Sequence, residues 1–146
     1  MSDDDPVAKI EAALPRRWDV DALRAGASVC ITLAVPFRIL AAIVDSDSGA
    51  LNALFFMLFV IFFVIGSGCA AWVQRTGTPL SHALVTAIGT YVVVEAAFTA
   101  VRLIRGTDTQ WFQVMFTLSV ISAAGVVGGF LGSRLQARGF VPSSRR

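Results

Sequence analysis

Residues 82–104 read HALVTAIGTYVVVEAAFTAVRLI, an apolar run broken in its interior by one carboxylate, Glu95, and near its end by Arg102. At a rise of about 1.5 Å per residue, the run makes a helix that crosses the roughly 30 Å hydrocarbon core of a bilayer. Three further runs of similar length lie near residues 25–44, 50–73 and 111–133. Of the 146 residues, 55% are hydrophobic and 15% charged, and the mean hydropathy is +0.71. That is too apolar and too thinly charged for an ordinary soluble domain of this size. The expected fold is all-α: a four-helix transmembrane bundle, up-down-up-down, surrounded by the lipid bilayer.

The links at 45–49, 74–79 and 105–109 are short and polar. Links of this length make successive helices antiparallel and leave no room for a soluble catalytic domain. The chain is expected to divide into an N-terminal segment, 1–24, a single transmembrane domain, 25–138, and a disordered basic tail, 139–146. Within the first segment Val7, Ile10 and Leu14 recur at helical spacing and Pro15 ends the pattern, giving either a short helix on the membrane surface or a disordered tail.

Orientation follows from the basic residues. Lys9, Arg16, Arg17, Arg24, Arg75, Arg134, Arg138, Arg145 and Arg146 fall at one set of span ends, and only Arg102 and Arg105 at the other. Positive charge favours the inner side, so both termini are expected in the cytoplasm. Trp18 and Trp72 then lie at the inner interface and Trp111 at the outer one. The acidic leader and the missing small-residue cleavage pattern argue that the first span is a permanent anchor. The net charge of +2 is spent on topology, so no nucleic acid is expected as a partner.

The helices differ in texture. The second begins with Phe55, Phe56, Phe59, Phe62 and Phe63 and thins to Gly66, Ser67, Gly68, Cys69, Ala70 and Ala71. The fourth thins likewise through Gly125, Gly128, Gly129 and Gly132. Small residues at this spacing let helix backbones approach closely in lipid. The parallel endings Gln74-Arg75-Thr76-Gly77 and Gln136-Ala137-Arg138-Gly139 hint at duplicated hairpins, although small-residue packing alone produces much of that pattern.

Arg38 and Glu95 are the two ions embedded furthest from span ends, each about 10 Å from the outer end of its helix and level with the other. An arginine at a helix centre costs roughly 2.5–3.5 kcal/mol on insertion scales, and a facing carboxylate offsets part of that. A cross-helix ion pair is therefore expected. It would fix helix register or serve a transport or ligand site; the alternative is snorkelling, Arg38 toward Asp45 and Glu95 toward Arg102. Tyr91, Thr99 and Arg102 share the helix face of Glu95 and are its expected polar neighbours.

Other chemistry is sparse. Cys30 and Cys69 lack a Cys-x-x-Cys spacing and read as small packing residues. His82 is the single histidine and reads as a helix-start contact, so no metal site and no cofactor are expected. No catalytic motif is present, and the expectation is a protein that is not an enzyme.

The run Trp72-Val73-Gln74-Arg75-Thr76-Gly77-Thr78-Pro79-Leu80-Ser81-His82-Ala83, followed by Glu95, by Leu103-Ile104-Arg105-Gly106 and by Gly128-Gly129-Phe130-Leu131-Gly132, resembles small four-span bacterial membrane proteins of uncharacterised function. The resemblance implies architecture and brings no activity. Three functions follow in order of expectation. The first is an accessory or assembly subunit whose small-residue faces pack in a homo-oligomer or a larger membrane complex. The second is a small oligomeric transporter or channel using Arg38 and Glu95. The third is a membrane-embedded redox protein or enzyme using Cys30 and Cys69.

Overall fold

A computed structural model describes residues 18–44 and 48–140. It holds four helices: α1 (Val20–Val44), α2 (Gly49–Val73), α3 (Pro79–Ile104) and α4 (Trp111–Ala137). Each is long and apolar enough to span a membrane, and no strand occurs among the described residues. The expected surface helix near Val7–Leu14 and the end of the basic tail lie outside the described residues.

Local polar chemistry sets the helix ends. α1 starts at Val20, ahead of the apolar window beginning at 25, because Asp19 Oδ1 accepts the Ala22 N–H at 3.1 Å and caps the first turn. Pro79 opens α3 at a position where its missing N–H costs nothing. α3 and α4 both close on a glycine in the left-handed region, Gly106 (φ 67°) and Gly139 (φ 76°). Each allows a six-to-one return bond, Thr107 N–H to Arg102 O and Phe140 N–H to Leu135 O, that satisfies an orphan carbonyl. The chain past α4 is held further by Trp72 Nε1, which donates to Phe140 O at 2.8 Å.

α2 is the hub. It packs against α1, α3 and α4; α3 also touches α1 and α4, whereas α1 and α4 do not touch. A two-fold axis exchanging the α1–α2 and α3–α4 hairpins would require the α2–α3 and α1–α4 contacts to be alike, so the hairpins are not related in that way.

The bundle narrows toward its termini. A Cβ on Gly26 would come within 2.7 Å of Gly66 O, and one on Gly128 within 2.5 Å of Val64 O, so α1–α2 and α2–α4 meet nearly backbone to backbone. Gly132 lies equally close to Ala71, and Gly125 and Gly129 face Ala87 and Ala83 of α3. At the other end Phe37, Phe55, Phe56, Phe59 and Phe98 hold the helices apart, with Phe37 edge-on to Phe62 at 5.3 Å. Small residues close one end and aromatic bulk opens the other.

A polar knot ties the narrow end. His82 is fully buried; its Nε2 accepts the Asp19 N–H at 2.9 Å, so the neutral ring carries its proton on Nδ1 and donates to Thr78 O at 2.9 Å. Asp19 Oδ2 accepts the Arg75 N–H, joining the start of α1 to the α2–α3 link. Gln136 Nε2 donates to Trp72 O and Gln74 O at 2.8 and 2.9 Å, stitching α4 to the end of α2.

Candidate functional site

Each helix brings a few side chains to the wide end. Phe37, Arg38 and Ala41 come from the last third of α1, and Asn52, Phe55, Phe56 and Phe59 from the first half of α2. Tyr91, Glu95 and Arg102 come from α3, and Gln113, Val114 and Thr117 from the first turns of α4. Together they line a partly open cavity of about 420 Å³. That volume falls within the range of small-molecule sites, and its lining combines aromatic walls with a few convergent polar groups.

The ions meet on one wall. Arg38 Nη2 lies 2.8 Å from Glu95 Oε2, and Arg102 Nη1 donates to Glu95 Oε1 at 3.2 Å. Glu95 thus bridges α1 and its own helix, one carboxylate between two guanidiniums. The Arg38 contact is a close approach of opposite charges without an N–H aimed along the oxygen, whereas the Arg102 contact is a formed hydrogen bond. The Glu95 side chain is 6% exposed, those of Arg38 and Arg102 22% and 34%. The rings of Phe98 and Phe59 pack on the Arg38 guanidinium, 4.9 and 5.7 Å from centroid to Cζ, supplying cation–π attraction where water is scarce.

Cross-helix pairing and contact with Arg102, set against each other as alternatives in the sequence, coexist at one carboxylate. Asp45, the other snorkelling partner, lies outside the described residues. Tyr91 is buried, lines the cavity and donates its hydroxyl to Val114 O at 2.9 Å, tying α3 to α4 beneath the ions. Thr99 is half-buried and does not line the cavity.

The glycines fall elsewhere. Gly66 faces Gly26 and Cys30, Gly68 faces Gly128, and Gly125, Gly129 and Gly132 lie against α2 or α3. All of them serve contacts inside the bundle. Cys30 is buried against Gly66, and both cysteines are free thiols. Sequence reading passed over Asn52, Gln113 and Thr117, because isolated amides and hydroxyls at span ends look like ordinary interface residues. The ties made by Asp19 and Gln136 escaped for a similar reason: their partners are backbone groups distant in sequence, whereas Gln74 accepts from the nearby Thr76 and Thr78 N–H groups and donates to the Gln136 side chain.

Searches with family models, against characterised proteins and against solved structures find nothing that matches this chain.

Proposed function

We propose that the protein is a non-enzymatic, multi-pass protein of a bacterial cell membrane, with both termini in the cytoplasm, that takes a small solute into the cavity at its wide end and, as an oligomer, carries it. The observation behind this reading is that all four helices contribute to one cavity whose wall holds the Arg38–Glu95–Arg102 cluster. Fixing the register of α1 needs one pair; a third ion and an open space before it are surplus to that task. Embedded ion pairs are seldom more stable than well-packed apolar residues, so stability alone does not account for the cluster.

The accessory reading rests on weaker ground. The glycines that would recruit a partner are occupied within the bundle, and a partner helix would have to displace α2 or α4 to reach them.

Thiol accessibility tests the proposal. In a C30A/C69A background, a cysteine replacing Thr117 should react with a charged, membrane-impermeant thiosulfonate, and adding Ala41→Trp to fill the cavity should block the reaction. An inert Thr117→Cys variant, from either face of the membrane, would contradict a solute-accessible cavity.

A further inference from the structure

We infer that the ligand of this cavity is an amphiphile with a single anionic head, a carboxylate or phosphate seated on Arg38 and Arg102 with its apolar chain against the phenylalanines. The inference rests on the cavity reading above and specifies its occupant.

Charge balance comes first. The lining holds two guanidiniums and one carboxylate, and among the described residues Glu95 is the acid that pairs with either arginine. Counted over these described residues, one positive charge is left over at the wide end, where Arg102 lies in the last turn of α3. A monoanion cancels it; a cation or a neutral solute does not.

Donor geometry points the same way. Each guanidinium has five N–H donors in a planar fork, and Glu95 takes up one nitrogen of each. Phe98 and Phe59 pack against Arg38, which leaves its N–H edge as the surface for recognition. Such an edge fits the paired oxygens of a carboxylate or phosphate. The Arg38–Glu95 contact lacks an aligned hydrogen bond, so the Arg38 N–H groups remain open to a further acceptor.

The remaining wall defines the rest of the molecule. Phe37, Phe55, Phe56 and Phe59 present rings, while Asn52 and Gln113 sit toward the ends of their helices. A fully polar anion such as inorganic phosphate would leave those rings unused, whereas an anionic head carrying an alkyl chain matches both surfaces. That head can come from a bilayer lipid or from a free fatty acid.

Native mass spectrometry of the whole protein in mild detergent distinguishes them. Equimolar phosphatidylglycerol, palmitate and phosphatidylcholine are added, and retained adducts are compared across variants. Wild type should retain an anionic amphiphile about tenfold over phosphatidylcholine, as expected for one charge-assisted contact. R102Q should lose the preference, and R102K should keep part of it. E95Q, which removes the competing carboxylate, should retain more anion than wild type. Because E95Q risks unfolding, the R102Q and R102K comparison stands without it.

Retention of phosphatidylglycerol alone assigns the head to a bilayer lipid, and retention of palmitate alone to a free amphiphile. Equal retention of phosphatidylcholine, or an R102Q variant that behaves as wild type, overturns the anionic assignment. If Ala41→Trp still abolishes whatever binding remains, the cavity reading survives that failure; if Ala41→Trp changes nothing, both fall.

Discussion

Glu95 has two arginine partners, and each arginine has only Glu95 as an acidic partner among the described residues. The consequences of removal are therefore unequal. Glu95→Gln strands two guanidiniums and should cost on the order of 3 kcal/mol, whereas Arg38→Gln leaves the carboxylate bonded to Arg102 and should cost less. Thermal unfolding in detergent should rank them in that order; equal losses would mean that Arg102 does not share the charge. At the other end His82→Phe leaves the Asp19 N–H without the ring nitrogen that accepts it, while Thr78 O keeps the backbone N–H of residue 82 and Ser81 Oγ as donors, a loss of about 1–3 kcal/mol. The embedded ions were legible in the sequence because charge in an apolar run is conspicuous and depth can be counted along a helix. The His82 knot was legible only as a helix-start contact. Its partner at Asp19 is a backbone group, and backbone donors carry no mark in a sequence.

Among the elements, α4 depends most on the absence of side chains. Gly128→Leu would drive atoms into Val64 O and the Gly68 backbone, which cannot yield as a flexible side chain does. The expected penalty exceeds the 1–3 kcal/mol or so typical of core overpacking, and it should appear as loss of the folded chain itself. Gly89 offers the control: a Cβ there meets nothing within 4 Å, so Gly89→Ala should leave the unfolding midpoint unchanged or raise it. If Gly128→Leu weakened only association between chains, the glycines would be facing outward. Hydropathy placed the four helices and the run of small residues marked their thin halves. It gave no helix order, because α2 at the hub and α1 at a corner are both apolar throughout. The true start of α1 also escaped it, since Asp19 acts through a cap that lies before the apolar run.

As a whole molecule the chain tapers, with glycine and alanine closing the end that carries both termini and phenylalanine parting the other around a charged cavity. Four antiparallel spans bring Trp18 and Phe140, the ends of the described chain, to one side of the bundle, and the proposal is that this side faces the cytoplasm. Reporter fusions at either end should therefore give the same cytoplasmic signal, and opposite signals would mean that one helix does not cross. The cavity could not be read from the sequence: its lining comes from separate segments of all four helices, and only packing brings them together.

On the wall of that cavity one carboxylate joins two arginines. The sequence holds two glutamates, Glu11 and Glu95, so a Glu11→Gln background leaves a single glutamate carboxyl carbon to label. Solid-state NMR in lipid bilayers can then measure its dipolar coupling to nitrogen-15 guanidinium groups. Strong coupling is expected, falling in part when Arg38 is replaced by Lys, in part when Arg102 is, and disappearing when both are. A Glu95 carboxyl carbon that couples to no guanidinium would contradict this arrangement.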